Sequence, residues 1–225
     1  MQFGILLRSS FSFLKDALFP QFCCSCGAHG FLLCLQCSSL FPSSVTEYCV
    51  HCDELVCGCD ANKIIDGACY LTYYSDSIMR RAIHALKYRH ERQLGVVLGA
   101  ILARTYMSRR FLVDAIIPIP LHYRRRAFRG FNQAEEIGSM LSESLDTPLL
   151  LHTLKKRKAT APQAIQLLSQ RRDNVAGSFV VKGIVPRKVL LVDDVVTSGS
   201  TVIEAAQTLK KAGVQKVYVI SLARG

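Results

Sequence analysis

The sequence predicts an α/β protein with a mainly parallel sheet, preceded by a small cysteine-rich module of the zinc-ribbon kind. Three observations carry this expectation. All ten cysteines fall between Cys23 and Cys69, mostly as closely spaced pairs. After Cys69, strand-type apolar runs alternate with stretches of helical spacing, and strands separated by helical crossovers pair in parallel. One of these runs, Val189-Leu190-Leu191-Val192, opens into two acids and a loop of small hydroxyl residues. The expected division is residues 1–62 for an N-terminal helix and double zinc ribbon, and 63–225 for the α/β domain.

The first segment, MQFGILLRSSFSFLKDALFPQF, is apolar but interrupted by Arg8, Lys15 and Asp16. With Leu6, Phe13, Leu14, Leu18 and Phe19 it reads as a short amphipathic helix, too short and too interrupted to span a bilayer. It has no small-residue cleavage site of the secretory kind. The expected location is the cytoplasm, where clustered cysteines mean metal rather than disulfides.

The cysteine pairs are Cys23–Cys26, Cys34–Cys37, Cys49–Cys52 and Cys57–Cys59. A C-x-x-C hairpin places two thiolates along one tetrahedral edge, and a second hairpin closes a structural zinc site. Four pairs make two such sites, joined either in sequence order or interleaved. An iron–sulfur cluster takes the same donors, and the tight Cys57-Gly58-Cys59 is where a vestigial site is expected. A redox C-x-x-C needs a thioredoxin-like setting, which is absent. Cys24 and Cys69 read as ordinary thiols.

In the second region, residues 67–74 form a strand. Met79, Ala82, Ile83 and Leu86 recur at helical spacing, as do Leu94, Val97, Leu98, Ile101 and Leu102. The run DAIIPIP is a buried strand ended by its prolines. Ala134, Ile137, Gly138, Leu141 and Leu145 stripe the next helix. KVLLVDD is a strand, Val202, Ala205, Ala206 and Leu209 mark a helix ended by Gly213, and VQKVYVISLA closes the sheet.

Open α/β sheets bind ligands at the carboxyl ends of their strands. There Asp193 and Asp194 precede Thr197-Ser198-Gly199-Ser200-Thr201 at the start of a helix. Hydroxyls, backbone N–H groups and a helix N-terminus make an anion cradle, and adjacent carboxylates suit ribose hydroxyls or hydrated magnesium. A buried strand followed by ordinary helix caps is the plainer alternative. The net charge of +11 and pI near 9.3 point towards polyanions, nucleic acid or phosphorylated metabolites, although a basic solubilising surface gives the same total. The charge concentrates in Arg124, Arg125, Arg126 and Arg129 and in Lys155, Lys156, Arg157 and Lys158, both expected in loops beside the site.

The segment VLLVDDVVTSGST resembles the 5-phosphoribosyl 1-pyrophosphate signature of type I phosphoribosyltransferases. More particularly, the chain resembles the ComF family of competence-associated proteins. The shared features are an LFP segment before the cysteine pairs, Leu86-Lys87-Tyr88-Arg89, and PIPLHYRRRAFRGFNQAEEIG. Arg157, Thr160 and Gln163, RRDNVAGSF and the phosphate signature follow. One departure is His90-Glu91, where a glycine and an acid are expected.

The resemblance implies that Asp193 and Asp194, the catalytic pair, contact the ribose hydroxyls while Thr197, Ser198, Gly199, Ser200 and Thr201 hold the 5′-phosphate. Magnesium accompanies the pyrophosphate. The basic loop with Arg124 to Arg126 and Arg129 occupies the position of the pyrophosphate loop, Lys87 and Arg89 reach pyrophosphate from a helix end, and residues 155–179 correspond to the mobile lid. His122 reads as a loop residue rather than a base.

Three functions follow as expectations. One is a protein that binds phosphoribosyl pyrophosphate and handles single-stranded DNA in natural transformation. Another is an active transferase that joins phosphoribosyl to a nitrogen acceptor. The third is a zinc-stabilised scaffold for helicase or recombination proteins. Few aromatic residues can be nominated from the sequence to stack on DNA bases.

Overall fold

A computed structural model of the protein describes residues 20–55, 59, 64–89, 91–107, 111–157 and 177–225. The expected N-terminal helix, Cys57, His90, Thr160, Gln163 and most of the lid segment lie outside these residues.

Helix α1 (Leu35–Ser38) begins on Cys34 and leads to strand β1 (Thr46–Tyr48). There follow β2 (Gly67–Tyr73), α2 (Ser77–Tyr88), α3 (Arg92–Tyr106) and β3 (Ala115–Pro118). Then come α4 (Tyr123–Arg129), α5 (Gln133–Leu145), β4 (Leu154–Lys156) and β5 (Phe179–Val181). The chain closes with β6 (Lys188–Val196), α6 (Ser200–Lys211) and β7 (Lys216–Arg224).

The main sheet has the order β1-β2-β7-β6-β3. Only β1, at the edge beside β2, runs antiparallel; the other neighbours are parallel. Both faces are covered, which is why these strands read as continuous Val/Leu/Ile runs. On one face Leu71, Leu190, Val192, Ile220 and Leu222 meet Ile83 of α2, Leu98 of α3 and Ile137 of α5. On the other, Tyr70, Val189, Leu191, Val217 and Val219 meet Val202, Ala206 and Leu209 of α6. The cysteine-rich region joins both layers. Cys23, Cys34, Cys37 and Phe41 belong to the first core, while Tyr48 and Val50 belong to the second.

Local chemistry sets the helix starts. Asp76 Oδ1 accepts from the N–H groups of Ile78 and Met79 at 3.0 and 2.8 Å, capping α2. Asn132 Oδ1 accepts from Ala134 N at 3.2 Å and its Nδ2 donates to Ile119 O at 3.0 Å, tying the start of α5 to the end of β3. Helices α3 and α5 approach closely because Gly95 and Gly99 face the contact. A Cβ there would lie 2.8 Å from Glu136 Cβ and 2.9 Å from Met140 Cβ.

Two segments expected as loops are regular. Residues 123–129 form α4, built of good helix formers, with His122 Nδ1 accepting from Arg124 N at 3.4 Å and Gly130 ending it at φ 75°. The helix buries none of its residues, so it leaves no apolar stripe to read. Lys155 and Lys156 lie in β4, which pairs antiparallel with β5 as a separate hairpin.

Candidate functional site

Strand β6 delivers Asp193 and Asp194 to the carboxyl end of the sheet. Beyond it Thr197, Ser198 and Gly199 turn the chain into α6, with Gly199 at φ 73°. Ser198 and Ser200 share a hydroxyl contact of 3.0 Å. This turn and the two acids form one side of a cavity of about 320 Å³. Ile119, Pro120 and Leu121, following β3, form another, and Lys87, Arg125, Arg129 and Lys156 also line it.

The electrostatics of the acid pair are asymmetric. Lys87 Nζ lies 2.5 Å from Asp194 Oδ2. Burial disfavours the charge on Asp194, but the Lys87 ammonium outweighs it and holds the carboxyl below the usual range. On Asp193 the same ammonium is outweighed. Burial first, then the negative Asp194 beside it, push Asp193 up to about 8. The pair therefore resists carrying two charges at once: Asp194 keeps its negative charge while Asp193 is disfavoured from ionising. Lys87 stays charged because Asp194 offsets the effect of its own burial, whereas burial and then Arg125 lower Lys156.

Of the residues singled out in the sequence, Asp193, Asp194, Thr197 to Thr201, Lys87 and Arg129 lie together on this cavity. Arg124 and Arg126 lie outside its lining. Arg124 Nε donates to Tyr123 Oη at 3.2 Å and its guanidinium sits 5.8 Å from that ring. Arg126 pairs with Glu135 at 2.7 Å. The helix explains the division: Arg125 and Arg129, four residues apart, share one face, and their neighbours are rotated off it. Lys156 and Arg224 were not individually picked out. The i, i+4 spacing of Arg125 and Arg129 was a usable signal once the segment is known to be helical. Arg224 left none.

The cysteines gather in sequence order. The thiols of Cys23, Cys26, Cys34 and Cys37 lie within 4.8 Å of one another, as do those of Cys49, Cys52 and Cys59. Cys26 Sγ is 3.6 Å from Cys34 Sγ, near the ~3.8 Å separation that ~2.3 Å metal–sulfur bonds give in a tetrahedron. Backbone N–H groups point at the sulfurs, from Cys34 to Cys23 at 3.4 Å and from Cys37 to Cys34 at 3.5 Å. Against the cost of burial, such donors draw Cys23 down to about 6. Four thiols in the first cluster suit a closed structural metal site, and the second brings together three thiolate donors of the same kind among the described residues. Cys24 and Cys69 stand apart from both clusters, their thiols pushed up by burial. No helix among the described residues is long and apolar enough to cross a membrane.

Known proteins resemble the chain over much of its length. Competence protein F of Haemophilus influenzae is 43% identical over 117 residues, 50% of this chain and 51% of that protein. DNA utilization protein YhgH of Escherichia coli K12 is 33% identical over 148 residues, 63% of this chain and 65% of its own length. Thus the chain spans between about half and two thirds of these relatives. Competence protein ComFC of Streptococcus pneumoniae is 29% identical over 206 residues, covering 85% and 87%. Among solved structures, an adenine phosphoribosyl transferase of Trypanosoma brucei superposes with a TM-score of 0.40 at 14% identity, over 68% of this chain and 70% of that one. The family model described as phosphoribosyl transferase domain matches residues 95–225, the stretch that contains β6, its acids and the hydroxyl turn. With that match covering more than half of its length, the chain belongs to the phosphoribosyl transferase domain family, and it is similar to proteins named as competence proteins.

Proposed function

We propose that the cavity binds 5-phosphoribosyl 1-pyrophosphate with magnesium, and that the protein uses this site while handling single-stranded DNA in the cytoplasm during natural transformation. The observation that carries the reading is the juxtaposition of opposite charges around one turn. A carboxylate pair and a hydroxyl-rich helix start share a cavity with Lys87, Arg125, Arg129 and Lys156. In this reading the Thr197–Thr201 turn takes the 5′-phosphate and Asp193 and Asp194 accept from the ribose hydroxyls. Arg125 and Arg129 grip the pyrophosphate with planar donor forks, which suit phosphate oxygens better than ammonium groups do. Magnesium would neutralise pyrophosphate charge, and zinc would hold the two cysteine clusters as structural ions.

The DNA part is supported by the names of the relatives, the +11 charge and the outer face of α4. There Tyr123 and Phe128 are 65% and 68% exposed beside Arg124, an arrangement on which bases can stack while phosphates meet arginine. A strand held there would pass to helicase or recombination proteins.

A second reading is an active transferase. A carboxyl titrating near 8, as Asp193 does, can in its ionised form take the proton that a nitrogen acceptor gives up. The C1–N bond would form as the C1–O bond to pyrophosphate breaks.

The test is calorimetric titration of the metal-replete protein with phosphoribosyl pyrophosphate and magnesium, with and without a single-stranded oligonucleotide. Saturable binding that the oligonucleotide alters, and that Asp193→Asn with Asp194→Asn abolishes, is the expected result. Binding indifferent to the double substitution would sink the site assignment. Turnover with release of pyrophosphate when nucleobases are supplied would favour the second reading.

A further inference from the structure

The second cysteine cluster lies against the phosphate turn. Val50, between Cys49 and Cys52, is buried and packs on Gly199: a Cβ on that glycine would fall 2.3 Å from Val50 Cγ1 and 3.2 Å from Val50 O. Asp53, directly after Cys52, is held at φ 65° in a tight turn where its N–H donates to Cys49 O at 2.9 Å and Cys49 N–H donates to Glu54 O at 2.8 Å. From that position its carboxylate accepts from Arg224 Nε at 2.7 Å.

Arg224 joins the two loops. Its Nη1 donates to the carbonyls of Thr197 and Val196, the latter at 3.2 Å, and its guanidinium sits 5.4 Å from the Tyr48 ring. A guanidinium presents several donors in a fixed fork, so one side chain can satisfy a carboxylate and two carbonyls together. The peptide plane transmits the effect. In a trans peptide the C=O and the following N–H point in opposite directions, so fixing the Thr197 carbonyl on Arg224 directs the Ser198 N–H the other way. Gly199 supplies no side-chain cap to α6, and within the turn Ser198 and Ser200 share their hydroxyl contact.

We infer that the Cys49–Asp53 loop is a positioning part of the phosphate site: metal held by the second cluster fixes Val50 and Asp53, and these, through Gly199 and Arg224, fix the turn that receives phosphate. The inference rests on the reading of Thr197–Thr201 as the phosphate cradle, and the residues fit a metal there because three thiols already converge within 4.8 Å. Arg224, Asp53 and Val50 are positioning residues and need not touch the ligand. The device makes ligand affinity depend on the metal, and hence on the thiol chemistry of Cys49, Cys52 and Cys59.

The experiment uses the full chain with two readouts: amide hydrogen exchange of residues 197–201 without ligand, and binding of ribose 5-phosphate. Asp53→Asn keeps every thiol but removes the charge that anchors Arg224. It is expected to leave metal content unchanged, to speed exchange in the turn and to weaken ribose 5-phosphate about tenfold, the effect of losing one charge-assisted hydrogen bond. Cys49→Ser with Cys52→Ser is expected to lose one metal equivalent and to show the same two effects more strongly. Unchanged exchange at 197–201 in both variants, with the β6 and β7 amides still protected, overturns the coupling. Should the cysteine variant not fold, Val50→Ala with Asp53→Asn supplies the comparison with all cysteines intact. Failure of the wild-type protein to bind ribose 5-phosphate would refute the cradle reading, while the exchange measurement would still decide whether the cluster orders the turn.

Discussion

Lys87 determines which of the two neighbouring acids carries charge. Asp193 titrates near 8 in the folded protein and near 3.9 in the unfolded chain, so the folded state retains a proton that the unfolded state gives up. The contribution of Asp193 to stability is therefore fully present below about pH 4 and is lost as pH rises through about 8. Asparagine mimics the protonated form and has nothing to lose. Thermal denaturation should show Asp193→Asn melting about 3 °C or more above wild type at pH 8.5, with the gap closing towards pH 5. A gap that does not vary with pH would contradict the raised pKa. Lys87→Met acts in the opposite sense, because it leaves Asp194 largely buried without its cation. Both side chains keep some solvent contact, at 19% and 12%, so the cost is expected below that of breaking a fully buried pair, about 2 kcal/mol. Adding Asp194→Asn should recover most of it, and a double-mutant cycle measures the coupling. If Lys87→Met costs the same with or without Asp194, the ion pair is not what Lys87 contributes.

Helix α4 presents different chemistry on its two sides, and each side has its own prediction. Arg125 and Arg129 line the cavity, while Tyr123, Arg124 and Phe128 face elsewhere. Phe128→Ala and Tyr123→Ala are expected to weaken a single-stranded oligonucleotide by about 1–3 kcal/mol each and to leave phosphoribosyl pyrophosphate binding intact. Arg125→Ala is expected to do the reverse. Fluorescence anisotropy with the oligonucleotide and calorimetry with the metabolite separate the two, and a loss of both from Phe128→Ala would mean that α4 had merely been disrupted.

This helix also marks the limit of what the sequence discloses. The parallel strands were legible because burial on both faces writes them as apolar runs, and α2, α5 and α6 because each buries a stripe. The acids and hydroxyl turn were legible because all their parts are adjacent in the chain. Helix α4 buries nothing, and with its phase unknown Arg125 could not be told from Arg124. The hairpin of β4 and β5 joins segments on either side of a long intervening stretch. Arg224 reaches Asp53 across 171 positions, a contact no local pattern encodes.

At the scale of the whole molecule, the cysteine-rich region is built into the sheet rather than appended to it. Strand β1 extends the sheet beside β2, with Glu47 opposite Cys69. Cys23, Cys34 and Cys37 share a core with Met79, Leu86 and Leu98, and Arg81 of α2 donates to Ser25 Oγ at 3.2 Å. Metal binding to thiolates is folding free energy for a small module, and this continuity spreads it into the layer that carries α2 and therefore Lys87. Chelation under reducing conditions should consequently lower the melting temperature of the entire protein in one calorimetric transition, rather than remove a small early step and leave the sheet unchanged. It should also weaken the Lys87–Asp194 pair, because α2 loses the surface it packs on. The same sample examined by hydrogen exchange should lose protection in α2 before the C-terminal half of α6, because the contact of the second cluster with α6 is at its start, Val50 on Gly199. Equal loss in both helices would mean that the metal stabilises the fold without preference for either layer. Loss confined to residues 20–55 would mean that the module unfolds on its own, and that its packing against α2 contributes nothing to the site.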